Sequence, residues 1–141
     1  MRPVYQNLFG ERHGKNRGGN CFQAALASLL ELPLSQVPDF CNDCRSDWYD
    51  RFISWLRKRG YSAIHLEVTS EQLSCPNLGF GSAESFHGCF LLISGKSPRG
   101  IPHTVIYRGG QLIHDPHPEG GGVTPAELDL IFPIDPAKRR V

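Results

Sequence analysis

The segment HTVIYRGGQLIHDP, residues 103–116, constrains this chain more than any other part of it. Two β-runs, His103–Tyr107 and Gln111–His114, flank Arg108-Gly109-Gly110. Adjacent glycines take the positive φ values of a tight turn, so the segment predicts an antiparallel hairpin. Pro102 delivers the first strand from a loop, and Asp115-Pro116 closes the second. Counting outward from the turn, Asp115 falls close to the partner of His103. A carboxylate there accepts a bond from the imidazole and fixes its tautomer, which prepares a general base. His114, one residue earlier, points to the opposite face of the strand.

A base needs a nucleophile, and Cys21 is the residue placed to supply one. Residues 10–19 (GERHGKNRGG) read as a polar, Gly-rich loop. Phe22, Ala25, Leu26, Leu29 and Leu30 then recur at helical spacing, predicting a helix from Cys21 to about Leu32 that Pro33 ends. Asn20 is a suitable N-cap, which puts Cys21 at the first helical position. The unsatisfied N–H groups of a helix start lower a thiol pKa and can stabilise an oxyanion. Gly18 and Gly19 let a substrate backbone come close. The roles expected are Cys21 as nucleophile, His103 as general base and acid, and Asp115 as orienter.

The rest of the pattern is helices first and antiparallel strands after, an α+β arrangement with N-terminal helices packed on an antiparallel sheet. Asp47–Arg59 predicts a second helix whose Trp48, Phe52, Trp55 and Leu56 face the core. Further expectations are a strand over Tyr61–Val68, a helical turn at Ser70–Leu73, a Gly/Ser loop including Gly79–Ser82, and a strand over Cys89–Ser94. HPEGGG (117–122) reads as a loop, Thr124-Pro125 as the start of a short helix with Glu127 completing a capping box, and Leu130–Ile134 as the last strand. No repeat or linker divides the chain, so residues 1–141 read as one domain.

Composition removes several function classes. A formal net charge of +1 gives no general attraction to nucleic acid or an anionic membrane, and KRR at 138–140 is too short a basic run to change that. No apolar run suits a transmembrane helix and no leader precedes residue 20, so the expected location is cytoplasmic. Five cysteines is an odd number, and without a leader free thiols are the expected state. Cys41 and Cys44 have C-x2-C spacing, but Cys75 and Cys89 do not form the second pair that zinc needs. No metal and no cofactor are expected.

The order of these pieces resembles the papain-like cysteine peptidase superfamily, and most of all its compact bacterial branch, the C39-like bacteriocin-processing peptidases. GGNCFQAALASLL and HTVIYRGGQLIHDP carry the resemblance. Short phage and bacterial open reading frames of uncharacterised role look similar too. The resemblance implies a papain-like fold, a protein or peptide substrate, and a thiol-dependent hydrolase, peptidase or amidase, using Cys21, His103 and Asp115. It also implies an oxyanion glutamine about one helical turn before the cysteine. Gln6 stands farther upstream than that, so a looped-out insertion or the alternative donor Asn20 is required. The same triad serves a deamidase or acyltransferase. An idle papain-like scaffold that binds or inhibits a host protein, and a zinc module on Cys41 and Cys44, are the readings from other classes.

Overall fold

The structure is a computed structural model that describes residues 1–10, 19–43, 46–74 and 88–137. The readings placed on the loop at 11–18 with its Gly18, on Cys44, on Cys75, on the loop Gly79–Ser82 and on the basic run 138–140 lie outside those residues. Among the described residues the domain is α+β, with four helices and a five-stranded antiparallel sheet. The helices are α1 (Cys21–Leu30), α2 (Phe40–Asp43), α3 (Trp48–Lys58) and α4 (Ser70–Ser74), with a 3-10 turn at Leu34–Gln36. The strands are β1 (Tyr61–Glu67), β2 (Phe90–Lys96), β3 (Pro102–Arg108), β4 (Gln111–His114) and β5 (Thr124–Pro133). They are ordered β1-β5-β2-β3-β4. No helix among the described residues is long and apolar enough to cross a membrane.

Strand alternation divides the apolar residues between two cores. Leu92 and Ile106 face α1 and α3, where they meet Phe22, Leu26, Phe40, Phe52 and Leu56. Leu91, Ile93, Val105 and Leu128 point to the other face and pack with Val68. Within the first core Phe22 meets Trp48 and Phe52 edge-on at 5.3 and 5.1 Å between ring centroids. That cluster anchors the first turn of α1, and with it the direction in which Cys21 points. Trp48 and Trp55 are only half-buried, while Phe52 and Leu56 are fully buried, so the α3 stripe is core at its centre and wall at its edges.

Helix α1 ends at Leu30, where Glu31 adopts the left-handed conformation (φ 55°) and its N–H turns back to the carbonyls of Ala27 and Ser28. The N-terminal segment runs alongside α1: Arg2 N–H donates to the Ser28 carbonyl, and Val4 N–H to Ser28 Oγ at 2.8 Å. Farther along, Gln6 N–H donates to the Pro116 carbonyl, and Phe9 bridges Gly19. Residues 1–10 thus lace the helix to the end of the hairpin.

Two expectations are corrected. Thr124-Pro125 does not start a helix, because residues 124–133 form β5, paired on one side with β1 and on the other with β2. Local capping chemistry lost to this two-sided pairing. Pro125 lies at the register shift between Ser94 and Gly95, where a missing N–H costs the ladder little. Gly95 is required there: a Cβ would lie 1.9 Å from the Thr124 carbonyl oxygen. The last strand accordingly begins six residues before Leu130. Asn20 is the second: it holds the N-cap position ahead of Cys21 as expected, but its side chain makes no capping bond to α1.

Candidate active site

The hairpin delivers the base and its orienter through a bulge. Gly109 and Gly110 both have positive φ (60° and 75°), forming the tight turn. Arg108 faces Gln111 and Tyr107 faces Leu112, but Ile106 faces His114, so Ile113 is an extra residue. Unbulged pairing would put Asp115 opposite Thr104 and on the wrong face. The extra residue turns Asp115 to the face of His103 and His114 to the other, where His114 Nε2 lies 2.9 Å from the Val4 carbonyl oxygen.

His103 Nε2 lies 2.6 Å from Asp115 Oδ1, and both side chains are buried. Asp115 also accepts the His117 N–H on Oδ1 and the Gly122 N–H on Oδ2, each at 2.9 Å. Left-handed backbone at Gly120, Gly121 and Gly122 brings that second donor round, so HPEGGG acts as the carboxylate's cradle. Burial alone would raise the Asp115 pKa, but the bonds from His103, His117 and Gly122 outweigh it and hold the carboxyl below its usual range. Burial pushes His103 below the ordinary imidazole value, against the pull of Asp115. At neutral pH the ring is therefore neutral, protonated on Nε2 toward Asp115, and Nδ1 carries the lone pair.

Cys21 carries a free thiol at the first position of α1. The thiol sits beside the backbone and hydroxyl of Thr104, the neighbour of His103, and beside the backbone of Phe22, whose polar groups favour the thiolate. The expected depression of the thiol pKa by the helix start is not what results. Burial is the largest influence and pushes the thiol up, and the hydrogen bonds offset it only in part. Cys21, His103 and Thr104 line one cavity of about 420 Å³, together with Phe22, Trp48 and Ser94. Ser94 Oγ and Thr104 Oγ1 are 2.9 Å apart, which fixes the hydroxyl beside the sulfur.

Of the two oxyanion candidates, Asn20 is committed elsewhere. It is buried, its Oδ1 accepts the N–H groups of Asn7 and Leu8, and its Nδ2 donates to Asn7 Oδ1 and Gln23 Oε1. Both amide hydrogens are used, so Asn20 organises the N-terminal segment and has no donor left over. Gln6 is brought back to the helix start despite its sequence distance. The Phe9–Gly19 bridge and the Asn20 N–H bond to the Leu8 carbonyl hold the N-terminal segment against Gly19 and Asn20. A Cβ on Gly19 would lie only 3.1 Å from Gln6 Nε2. That nitrogen donates one hydrogen to the Leu8 carbonyl at 2.8 Å and keeps a second.

Sequence reasoning missed a second cluster in the same cavity. Asp129 Oδ1 accepts the Tyr49 hydroxyl at 2.9 Å and lies 3.0 Å from His65 Nδ1. His65, Asp129 and Glu127 all line the cavity. Reading residues 124–127 as helix hid this arrangement; alternation through β5 puts Glu127 and Asp129 on one face. Cys41 lines the cavity as well. Among the described residues no group of three or more His, Cys, Asp or Glu side chains is arranged to hold a metal ion. Compared with known proteins, the chain matches no family model, no curated protein and no solved structure.

Proposed function

We propose that this chain is a thiol-dependent acyl hydrolase of papain-like arrangement, acting on an amide bond of a protein or peptide. One observation carries the reading: Cys21 and His103 line one cavity, and Asp115 holds the imidazole by Nε2, so that Nδ1 is the ring nitrogen left to act as base. The raised thiol pKa and lowered imidazole pKa make the resting groups a protonated thiol and a neutral base in one cavity, with no preformed ion pair. Proton transfer then accompanies attack. His103 Nδ1 takes the Cys21 proton as Sγ bonds to the carbonyl carbon. The imidazolium returns that proton to the leaving nitrogen as the C–N bond breaks, giving a thioester. Water, deprotonated by the same nitrogen, attacks the thioester; the acid departs and Cys21 regains its proton.

The oxyanion that forms in each attack is assigned to the N–H groups at the start of α1 and to the remaining Gln6 Nε2 hydrogen. Gln6 Oε1 is buried and meets no donor among the described residues. An unsatisfied amide oxygen costs about 1–3 kcal/mol, a cost consistent with a side chain kept for its other end. Gln6→Ala is expected to lower kcat by about a hundredfold with little change in KM, the pattern of a contact made only in the transition state.

The reading is tested by incubating the protein with an activated acyl ester and following both leaving group and protein mass. A burst of one equivalent with the acyl group on the peptide containing Cys21 is expected. Acylation spread equally over Cys41 and Cys89, or none at all, contradicts it.

A further inference from the structure

The cavity continues from Cys21 across the sheet to a wall that the acyl-transfer steps do not use. Thr104, which lies beside the Cys21 thiol, pairs with Ser94 on β2, and Ser94 pairs with Glu127 on β5. Two strand spacings separate Thr104 from Glu127, or about 10 Å. Asp129 lies two residues along β5 on the same face, opposite His65 on β1. Asp129 is 3% exposed, yet it lines the cavity. Its bonds to Tyr49 and His65 both fall on Oδ1, and among the described residues Oδ2 makes none. Glu127 is exposed to the same space and is in no ion pair among the described residues. No lysine or arginine is among the described residues lining the cavity.

The geometry points to a specificity subsite for a cationic side chain, lysine or arginine, on the acyl donor, held between Asp129 Oδ2 and Glu127. This assignment rests on the reading of Cys21 as the nucleophile. With the scissile carbonyl at Cys21, an aliphatic stem of three or four carbons crosses the face beside Ser94, and its charged end arrives at the carboxylates. Phe22 and Trp48 supply the apolar wall for the stem. A neutral side chain would give Asp129 Oδ2 and Glu127 no counter-charge, and an acidic one would meet two like charges.

The test uses two chloromethyl ketones, N-acetyl-lysyl and N-acetyl-norleucyl, which differ in the charged end alone. Each alkylates a thiol by forming an Sγ–C bond and expelling chloride, so no turnover is needed. The second-order rate at Cys21, read by mass, is expected to favour the lysyl probe by about tenfold. In Glu127→Gln and in Asp129→Asn that ratio falls toward one. Glu127 is on the surface, so its variant carries the test even if the Asp129 variant does not fold. Rapid labelling of Cys21 with a ratio near one, or a lysyl preference unchanged in both variants, overturns the subsite alone. Labelling of Cys21 no faster than of Cys89, by either probe and by iodoacetamide, overturns the nucleophile reading and the subsite with it.

Discussion

His103→Ala is expected to slow acyl transfer by Cys21 by about a thousandfold, a loss within the range for removing a positioned general base. The reason lies in the resting protonation states. A thiol raised by burial is almost wholly protonated at neutral pH, so little thiolate exists to act without the base. Deleting the imidazole leaves the N–H groups at the start of α1 in place, so substrate affinity should change far less than kcat. The comparison is made by steady-state kinetics on an activated acyl substrate. A variant that keeps its full rate would mean that His103 takes no part in the chemistry.

Asp115→Ala is expected to have the largest effect on stability, lowering it by about 3 kcal/mol. Three groups lose their acceptor at once: the His103 ring and the N–H groups of His117 and Gly122. All three face a buried position, where an unpaired donor carries its full desolvation cost. Asp115→Asn keeps one acceptor oxygen and should lose less. Chemical unfolding of the three proteins at one pH gives the ordering. The same groups set the response to acid. His103 has a folded pKa below its unfolded value of 6.5, so the unfolded chain takes up a proton first and stability falls as pH drops below that value. Asp115 is likewise depressed from 3.8, and its contribution is lost as pH falls through the folded value. Asp129, raised by burial, acts in the opposite sense: its contribution is present at low pH and is lost as pH rises through its folded value. The His103–Asp115 pair carries more hydrogen bonds, so acid is expected to destabilise the wild type; in Asp115→Ala the loss below 3.8 is absent, whereas the ring, without the pull of Asp115, is depressed further and the fall below 6.5 is larger.

What could be read from the sequence followed how local each signal was. The Gly109-Gly110 turn fixes its hairpin through backbone geometry within a few residues, so both strands and the closeness of His103 to Asp115 were legible. The bulge at Ile113 was not, because it depends on how β4 ends against the N-terminal segment, where His114 meets Val4. Helix α1 is legible from its apolar spacing, and Asn20 from its type as the N-cap position; the missing capping bond is not, because the Asn20 side chain has partners in Asn7, Leu8 and Gln23. Thr124–Glu127 has helix-start chemistry, but pairing with β1 and β2 prevails over it. That long-range pairing hid Asp129, and with it the far wall of the cavity. The thiol pKa was misjudged for a related reason: a helix start is visible in sequence, whereas the burial that opposes it is a property of the assembled core.

The central claim is that Cys21 owes its reactivity to His103. The most direct measurement is the rate of Cys21 alkylation by iodoacetamide as a function of pH, in the wild type and in His103→Ala. The wild type is expected to hold a plateau through neutral pH that falls only below 6.5, the ordinary imidazole value, because the folded ring is depressed. The variant should lose that plateau and follow the thiolate alone, a single limb still climbing past the ordinary thiol value of 9.0. Superimposable profiles for the two proteins would contradict the account.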